Sequence, residues 1–348
     1  MIVSGALRLS WLIGVPLVDV SIRNIGILGY VGVSLVVFPL LAVVFERADR
    51  CQKVNLEPPA HPTLPSNMPD PTDLEPTAAL VMLWARDLYR TGSAARFYSG
   101  LDLAAGEPMR RECEAVCPWY AEVILNRKWF IREITVRFVA DVCAPCQVVV
   151  PAAGKSPLAL ELLDACEDRI ASVIEVDIEG MEEKQHLYER AAPAHAATIR
   201  CVPADLADLP GTAAAIAGAG YDPDLPTVVI LEGVSYYIPP AVLSGIFSLF
   251  ASPDQKNRAI VEYLLPCRLI AEKRRNIPRR IWRIINHDCN PGGTVTYSPE
   301  EMEQVLAHAG CDSVVQHSMH QIEPARTGAN RYFPAIADGW IAIASGWL

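Results

Sequence analysis

From residue 147 onward, short apolar runs alternate with helical stretches, and this alternation restricts the fold more than any other feature of the chain. The runs are Gln147–Val150, Ser172–Asp177, Thr198–Val202, Thr227–Leu231 and Arg258–Tyr263, with Ser313–His317 and Gly339–Ser345 closing the sequence. Apolar runs separated by helices build a parallel sheet covered on both faces. Seven strands, the last two an antiparallel pair, predict an α/β fold: a Rossmann-like, doubly wound sheet. Ligands of such sheets bind beyond the carboxyl ends of the strands, at the switch point.

The first half of the chain has a different texture. Ala78–Tyr89 and Arg110–Val142 carry apolar residues at helical spacing, the second long enough for one or two helices, and predict a helical cover over the sheet. Residues 57–76 contain seven prolines and read as an extended linker. Ile25–Phe45 is 21 residues without a charge, enough at about 1.5 Å per residue to cross a hydrocarbon core of about 30 Å. The expected organisation is a hydrophobic N-terminal segment over 1–55 with a transmembrane helix, a linker over 56–76 and a catalytic domain over 77–348. The Lys/Arg excess after the apolar segment (Arg47, Arg50, Lys53) predicts a membrane-anchored protein whose catalytic domain faces the cytoplasm. If translation starts near Met68, the expectation is a cytoplasmic protein without the anchor.

A net charge of −10 argues against a nucleic-acid partner, which needs clustered cations. The ten cysteines show no disulfide framework. Cys113/Cys117 and Cys143/Cys146 have spacings that a zinc site uses, but the first pair lies in a helical pattern and the second just before a strand, so free thiols and no metal are expected.

The chemistry concentrates at the strand ends. The first strand runs into residues 151–157, PAAGKSP, with Gly154 in the turn, where a glycine permits close backbone approach to a ligand. The second ends in Glu175-Val176-Asp177, and an acidic residue at this distance from the turn accepts hydrogen bonds from ribose hydroxyls. Ala204-Asp205-Leu206 follows the third strand, placing a carboxylate where an adenine amino group would sit. Glu232 ends the fourth, and Tyr236, Tyr237, Pro239 and Pro240 turn the chain into the next helix.

Taken together these segments resemble the leucine carboxyl methyltransferase family over about residues 110–265. Asn126-Arg127-Lys128-Trp129-Phe130 is similar to that family's Asn-Arg helix motif, and the resemblance implies that Arg127 contacts the methionine carboxylate of S-adenosylmethionine. Ala152 and Gly154 stand in its Gly-x-Gly turn. Glu175-Val176-Asp177 with Lys184 matches its Glu-Val-Asp…Lys segment, implying a ribose contact at Asp177. Asp205 and Leu206 match the adenine side, and Glu232–Pro240 the Glu-Gly-x-x-x-Tyr-x-Pro-Pro signature. The family's turn reads Gly-Ala-Gly-x-Asp; here Ala152 and Ser156 replace the first glycine and the aspartate. The resemblance implies a class I methyltransferase fold and an O-methyltransferase acting on a carboxylate or hydroxyl of a small metabolite, as in natural-product biosynthesis.

An ionised carboxylate needs no general base, so transfer to it rests on alignment and desolvation. Tyr236 and Tyr237 are the candidates for orienting the acceptor. The basic stretch 268–283 reads as a solvated helix, as a lid for an anionic substrate, or as a contact with anionic lipid. Two rival functions remain. A nicotinamide-dependent oxidoreductase lacks its G-x-G-x-x-G, and a catalytically degenerate, membrane-anchored binding or scaffold protein is favoured only by Ala152 and Ser156.

Overall fold

The computed structural model describes residues 71–289 and 293–348. The described residues open with strand β1 (Thr72–Asp73), helix α1 (Pro76–Ala85), α2 (Gly92–Ser99), β2 (Leu101–Asp102), α3 (Glu107–Val116) and α4 (Ala121–Asp141). Thr72 and Asp73 fall inside the expected linker, yet they pair in parallel with Leu101 and Asp102. The long helical pattern divides into α3 and α4 because Pro118 disfavours helical backbone at the residue before it; Cys117 is extended, with φ −148°.

The sheet then builds through β3 (Cys146–Pro151), α5 (Leu158–Cys166), β4 (Ile170–Asp177), α6 (Met181–Ala191), α7 (Pro193–Ala196), β5 (Ile199–Pro203), α8 (Leu209–Gly218), β6 (Thr227–Leu231), α9 (Pro240–Ser248) and β7 (Arg258–Leu264). Helices α10 (Asn276–Cys289) and α11 (Pro299–His308) precede β8 (Asp312–Ser318), α12 (Met319–Thr327) and β9 (Ile341–Trp347). The order across the sheet is β5-β4-β3-β6-β7-β9-β8. The first five are parallel, and β9 runs antiparallel to both β7 and β8. The switch point lies at β3, between β4 and β6.

Period-two alternation assigns each face of the sheet to its own core. Val148, Val150, Val173, Ile230 and Ile260 pack into the cluster that includes residues of α1, α4, α5, α10 and α12. Val149, Ile174, Val229, Leu231 and Val261 pack against α8, α9 and α11. Between β4 and α6 sits a fully buried ion pair, Lys184 Nζ to Glu175 Oε2 at 2.7 Å, both side chains 0 % exposed. The Tyr188 hydroxyl lies 3.0 and 2.9 Å from the two Glu175 oxygens.

The expectation of a membrane-anchored protein with a cytoplasmic catalytic domain is corrected. Among the described residues no helix is long and apolar enough to cross a membrane. The longest, α4, has 21 residues but carries Arg127, Lys128, Arg132 and Arg137 along its length. The transmembrane helix expected at residues 25–45, the segment 1–55 and the linker up to residue 70 lie outside the described residues. Cys113, Cys117, Cys143 and Cys146 are free thiols, and burial pushes the Cys113 thiol up to about 12.

Removing one partner of a buried pair strands the other charge without water, which costs about 3–5 kcal/mol. Lys184→Met is therefore expected to lower unfolding free energy by that amount in urea titration; a loss below about 1 kcal/mol would contradict the pair's structural role.

Candidate functional site

Three strand ends converge at the switch point: the turn after β3, Asp177 at the end of β4, and Glu232 after β6. The turn leaves the sheet in a left-handed conformation at two positions, Ala152 (φ 56°) and Gly154 (φ 50°). Its path is dictated by β4 and α6. Ala153 N donates to Val176 O at 3.1 Å, Gly154 N to Asp177 Oδ2 at 2.8 Å, and Lys184 Nζ to Ala153 O at 3.3 Å. Asp177 Oδ1 accepts from Ile178 N at 2.8 Å. Lys155 donates to the Gly180 carbonyl and lies 3.6 Å from Glu183 Oε2, so its ammonium is tied to the loop that leads into α6.

The opposite wall comes from α4. Arg127 Nε donates to Glu232 Oε1 at 3.0 Å, and Arg127 Nη1 lies 3.8 Å from Glu262 Oε2. Lys128 Nζ lies 3.0 Å from the same Glu232 oxygen and 3.2 Å from Ser156 Oγ. Burial raises the Glu232 carboxyl, but Lys128 and Arg127 more than reverse this and leave it below the usual carboxylate range. Glu262 has weaker compensation: burial raises it, and Arg127 and the Gly233 N–H only partly pull it back. Its Oε2 accepts from Gly233 N at 2.8 Å, which holds Gly233 at φ 80°.

These walls enclose three neighbouring cavities. The largest, about 770 Å³, is lined by Gly154, Lys155, Asp177, Gly180 and residues 71–75. A cavity of about 140 Å³ is lined by Arg127, Lys128, Ala152, Gly154, Ser156 and Glu232. The third, about 200 Å³, is lined by Trp84, Tyr120, Arg127, Tyr236, Tyr237 and Trp282, among others. Ala78 of α1 borders all three, and Arg127 borders the last two.

Of the residues expected from sequence, Arg127, Ala152, Gly154, Asp177, Glu232, Tyr236 and Tyr237 all line this cleft. Tyr236 and Tyr237 rings lie 4.7 Å apart, and Tyr236 lies 4.7 Å from Trp282. Asp205 and Leu206 line none of the three cavities. They adjoin the cleft through Ala204 N, which donates to Asp177 O at 2.9 Å; Asp205 is exposed and its Oδ1 caps Ala207 N at 2.9 Å. Lys128, Ser156 and Glu262 join the site without having been expected as members. A signal existed for two of them: Lys128 follows Arg127 directly, and Glu262 is a carboxylate inside an otherwise apolar strand. The basic stretch read as a solvated helix splits by face. Trp282 and Ile285 wall the third cavity, whereas Arg279, Arg280 and Arg283 are exposed.

Beside the site, burial pushes the Glu161 carboxyl up to about 7, against the pull of Arg132 and Lys128. Between the ordinary carboxylate range and pH 7 the folded chain then holds a proton the unfolded chain has released, so this group makes stability fall as pH rises. Glu161→Gln is expected to flatten that fall by about 2–3 kcal/mol between pH 4.5 and 7.5 in denaturant titrations; an unchanged slope would refute the assignment. Left-handed backbone costs an alanine about 1–2 kcal/mol, and glycine's extra chain entropy returns about 0.5–1 kcal/mol of that. Ala152→Gly is thus expected to stabilise the fold by about 0.5–1 kcal/mol, read as a higher urea midpoint; destabilisation would show the turn is not strained.

The family model for leucine carboxyl methyltransferase matches residues 84–251, a span that includes Arg127, the turn, Asp177, Asp205, Glu232 and the tyrosine pair. No match to a curated protein is found. Among solved structures, a candidate methyltransferase from Thermobifida fusca YX is 17% identical with a TM-score of 0.55, over 78% of this chain and 95% of that one. A DUF574 family protein from Streptomyces avermitilis MA-4680 is 13% identical with a TM-score of 0.53, over 78% of this chain and 97% of that one. At these identities the two structures establish the shared fold.

Proposed function

Residues 84–251 belong to the leucine carboxyl methyltransferase family, and from that premise we propose that this S-adenosylmethionine-dependent methyltransferase transfers a methyl group to an oxygen of a small metabolite, a carboxylate in first place. The catalytic domain is residues 77–348. One observation carries the proposal: a buried arginine, 4 % exposed, borders the two inner cavities with one of its five N–H donors hydrogen-bonded among the described residues. A guanidinium so placed is suited to grip a carboxylate.

The residues present fit the cofactor. Arg127 would hold its methionine carboxylate in the 140 Å³ cavity. Asp177 retains a lone pair on each oxygen after its two backbone hydrogen bonds, which suits ribose hydroxyls beside the 770 Å³ cavity. Asp205 and Leu206 are assigned to the adenine side, and backbone at Ala152 and Gly154 to the close approach between them. Glu232 keeps Arg127 and Lys128 in place. Bound S-adenosylmethionine supplies an electrophilic methyl: the acceptor oxygen's electron pair forms the O–C bond while the C–S bond breaks and its pair stays on sulfur as a thioether.

The acceptor belongs in the 200 Å³ aromatic cavity, where Tyr236 and Tyr237 orient it. Among the described residues that cavity carries no aspartate, glutamate or histidine in its lining. Burial raises the Tyr236 hydroxyl well above its usual value, followed by the effect of Glu262, so it stays protonated and does not serve as a base. An acceptor that is already an anion at neutral pH suits such walls better than an alcohol. The wall's remaining work is alignment and exclusion of water.

Calorimetric titration of the full chain tests this. S-adenosylmethionine is expected to bind in the micromolar range, and Arg127→Ala to weaken it about ten- to a hundredfold, as loss of a charged hydrogen-bond pair does. Asp177→Ala is expected to weaken it by about tenfold. A folded chain that binds NADH and not S-adenosylmethionine would overturn the assignment.

A further inference from the structure

Six large apolar side chains are exposed among the described residues. Ile178 and Tyr237 line the cleft, and Val315 and Trp347 lie on β8 and β9 at one edge of the sheet. The other two, Leu269 at 39 % and Ile336 at 67 % exposed, are far apart in sequence but tied in space. Ala271 N donates to Ala337 O at 2.7 Å, two residues from Leu269 and one from Ile336. Arg274 locks the same junction. Its Nη2 donates to Tyr332 O at 2.8 Å, its Nε lies 3.5 Å from Asp338 Oδ1, and its guanidinium sits over the Trp119 ring. Leu269 therefore shares a surface with the loop tip Pro334-Ala335-Ile336, each residue of which is exposed. Cations flank this tip. The side chains of Arg268 and Lys273 are largely in solvent, and Arg331 is exposed on the loop itself. Arg279, Arg280 and Arg283 continue the positive charge along the outer face of α10, and none of these three has an ion-pair partner among the described residues. Over residues 265–286 seven cations stand against one acid, Glu272, in a chain whose net charge is −10.

We propose that this patch docks the chain on an anionic lipid surface, with Leu269 and Ile336 seated below the headgroups and the surrounding cations among them. The contact is peripheral: it needs no helix that crosses the bilayer, and it stands whether or not the chain transfers a methyl group. Two complementarities select this partner. Clustered cations are attracted to the negative potential of an anionic leaflet, and exposed apolar side chains between them find acyl chains directly beneath the charge. Nucleic acid matches the cations but offers no apolar bed for Leu269 and Ile336. The roles divide between the two segments. Ile281 and Ile285 of α10 are buried in the core, so that helix contributes charge alone, and the loop tip makes the apolar contact. The acidic remainder of the chain is repelled by the surface that attracts the patch, which leaves one orientation favoured. In that orientation α10 lies toward the lipid with its outer face, while Trp282 and Ile285 on the same helix wall the third cavity.

Co-sedimentation of the full chain with vesicles tests this, using phosphatidylcholine alone and phosphatidylcholine mixed equally with phosphatidylserine. Binding is expected to the anionic vesicles only, and to weaken as added salt shortens the Debye length from about 10 Å to about 3 Å. Each cation near an anionic surface strengthens binding about fivefold, so the double variant Arg279→Gln/Arg280→Gln is expected to bind about 25-fold more weakly. Ile336→Asp removes an apolar contact and adds a repelled charge, and is expected to weaken binding at least about tenfold. All three side chains are exposed, and unchanged far-UV circular dichroism shows that a loss is one of binding and not of fold. Failure to bind anionic vesicles overturns the proposal. Equal binding to neutral vesicles overturns it too, as does binding that both variants leave within twofold, because the contact then comes from another part of the chain. Polyglutamate or duplex DNA that binds the chain where anionic vesicles do not would assign the patch to an acidic protein or to nucleic acid, and would equally overturn it.

Discussion

The buried contact between Lys184 and Glu175 fixes the geometry on which the rest of the site depends. Neither side chain reaches water, so neither charge is tolerable without the other. The pair joins α6 to β4, and the same ammonium reaches the Ala153 carbonyl in the turn after β3. The Tyr188 hydroxyl, beside Glu175, also lies 3.2 Å from the Ser156 carbonyl. Two residues of α6 thus grip the turn from behind while β4 holds it from the side through Ala153 N and Gly154 N. A buried ion pair adds little net stability over an apolar replacement; here its value lies in the positions it enforces. That is why the turn can keep a left-handed φ at Ala152, where glycine would be at ease. The cost is met by neighbours that leave the backbone no other route.

The same logic explains what was legible in the sequence. A central parallel strand is buried on both faces, so it must be an apolar run, and Thr227–Leu231 and the core of β3 stand out for that reason. Edges are harder: β8 is half exposed and mixed in composition, and its partner β9 begins later than its apolar texture suggests because Trp340 packs as core ahead of the ladder. Residues Arg127, Asp177 and Glu232 were visible because their motifs are local, each a few residues long at a strand or helix end. The third cavity was not visible. Its walls come from α1, α4, α9's approach and α10, and no short pattern encodes that Trp84 and Trp282 will face one space. Glu262 was hidden for a related reason, since its role depends on Gly233 and Arg127, which reach it from other elements.

The cleft's electrostatics divide along the same line. At the end proposed for the cofactor, Arg127 and Lys128 share one Glu232 oxygen, and Glu262 sits behind Arg127 with an Oε1 that has no hydrogen-bond partner among the described residues. Two cations against one firmly ionised carboxylate, with a second whose ionisation burial opposes, leave this pocket short of negative charge. A ligand carboxylate, as proposed for the cofactor, would correct the shortage. Ser156, standing where the family's turn carries an aspartate, deepens it, because the Lys128 ammonium meets a hydroxyl there instead of a charge. The substitution therefore changes the pocket's charge without removing a strut from its frame.

The division between the two ends also separates what the family shares from what this chain adds. The matched span, 84–251, supplies the strand ends and α4, the side of the cleft proposed for the cofactor. Helix α10 and the first turns of α1 lie outside it, and they form the roof. Ala78 borders all three cavities and Trp282 walls the third, so a cofactor and an acceptor bound as proposed would lie under one cover and be dried together. Drying matters most where charge is redistributed, since an anion moving toward a sulfonium interacts more strongly in a low dielectric than in water. On the proposed reading, an aromatic wall with no carboxylate or imidazole among its described lining residues would provide that environment: it would strengthen the attraction of an anion for the methyl donor and offer an uncharged alcohol no side-chain base.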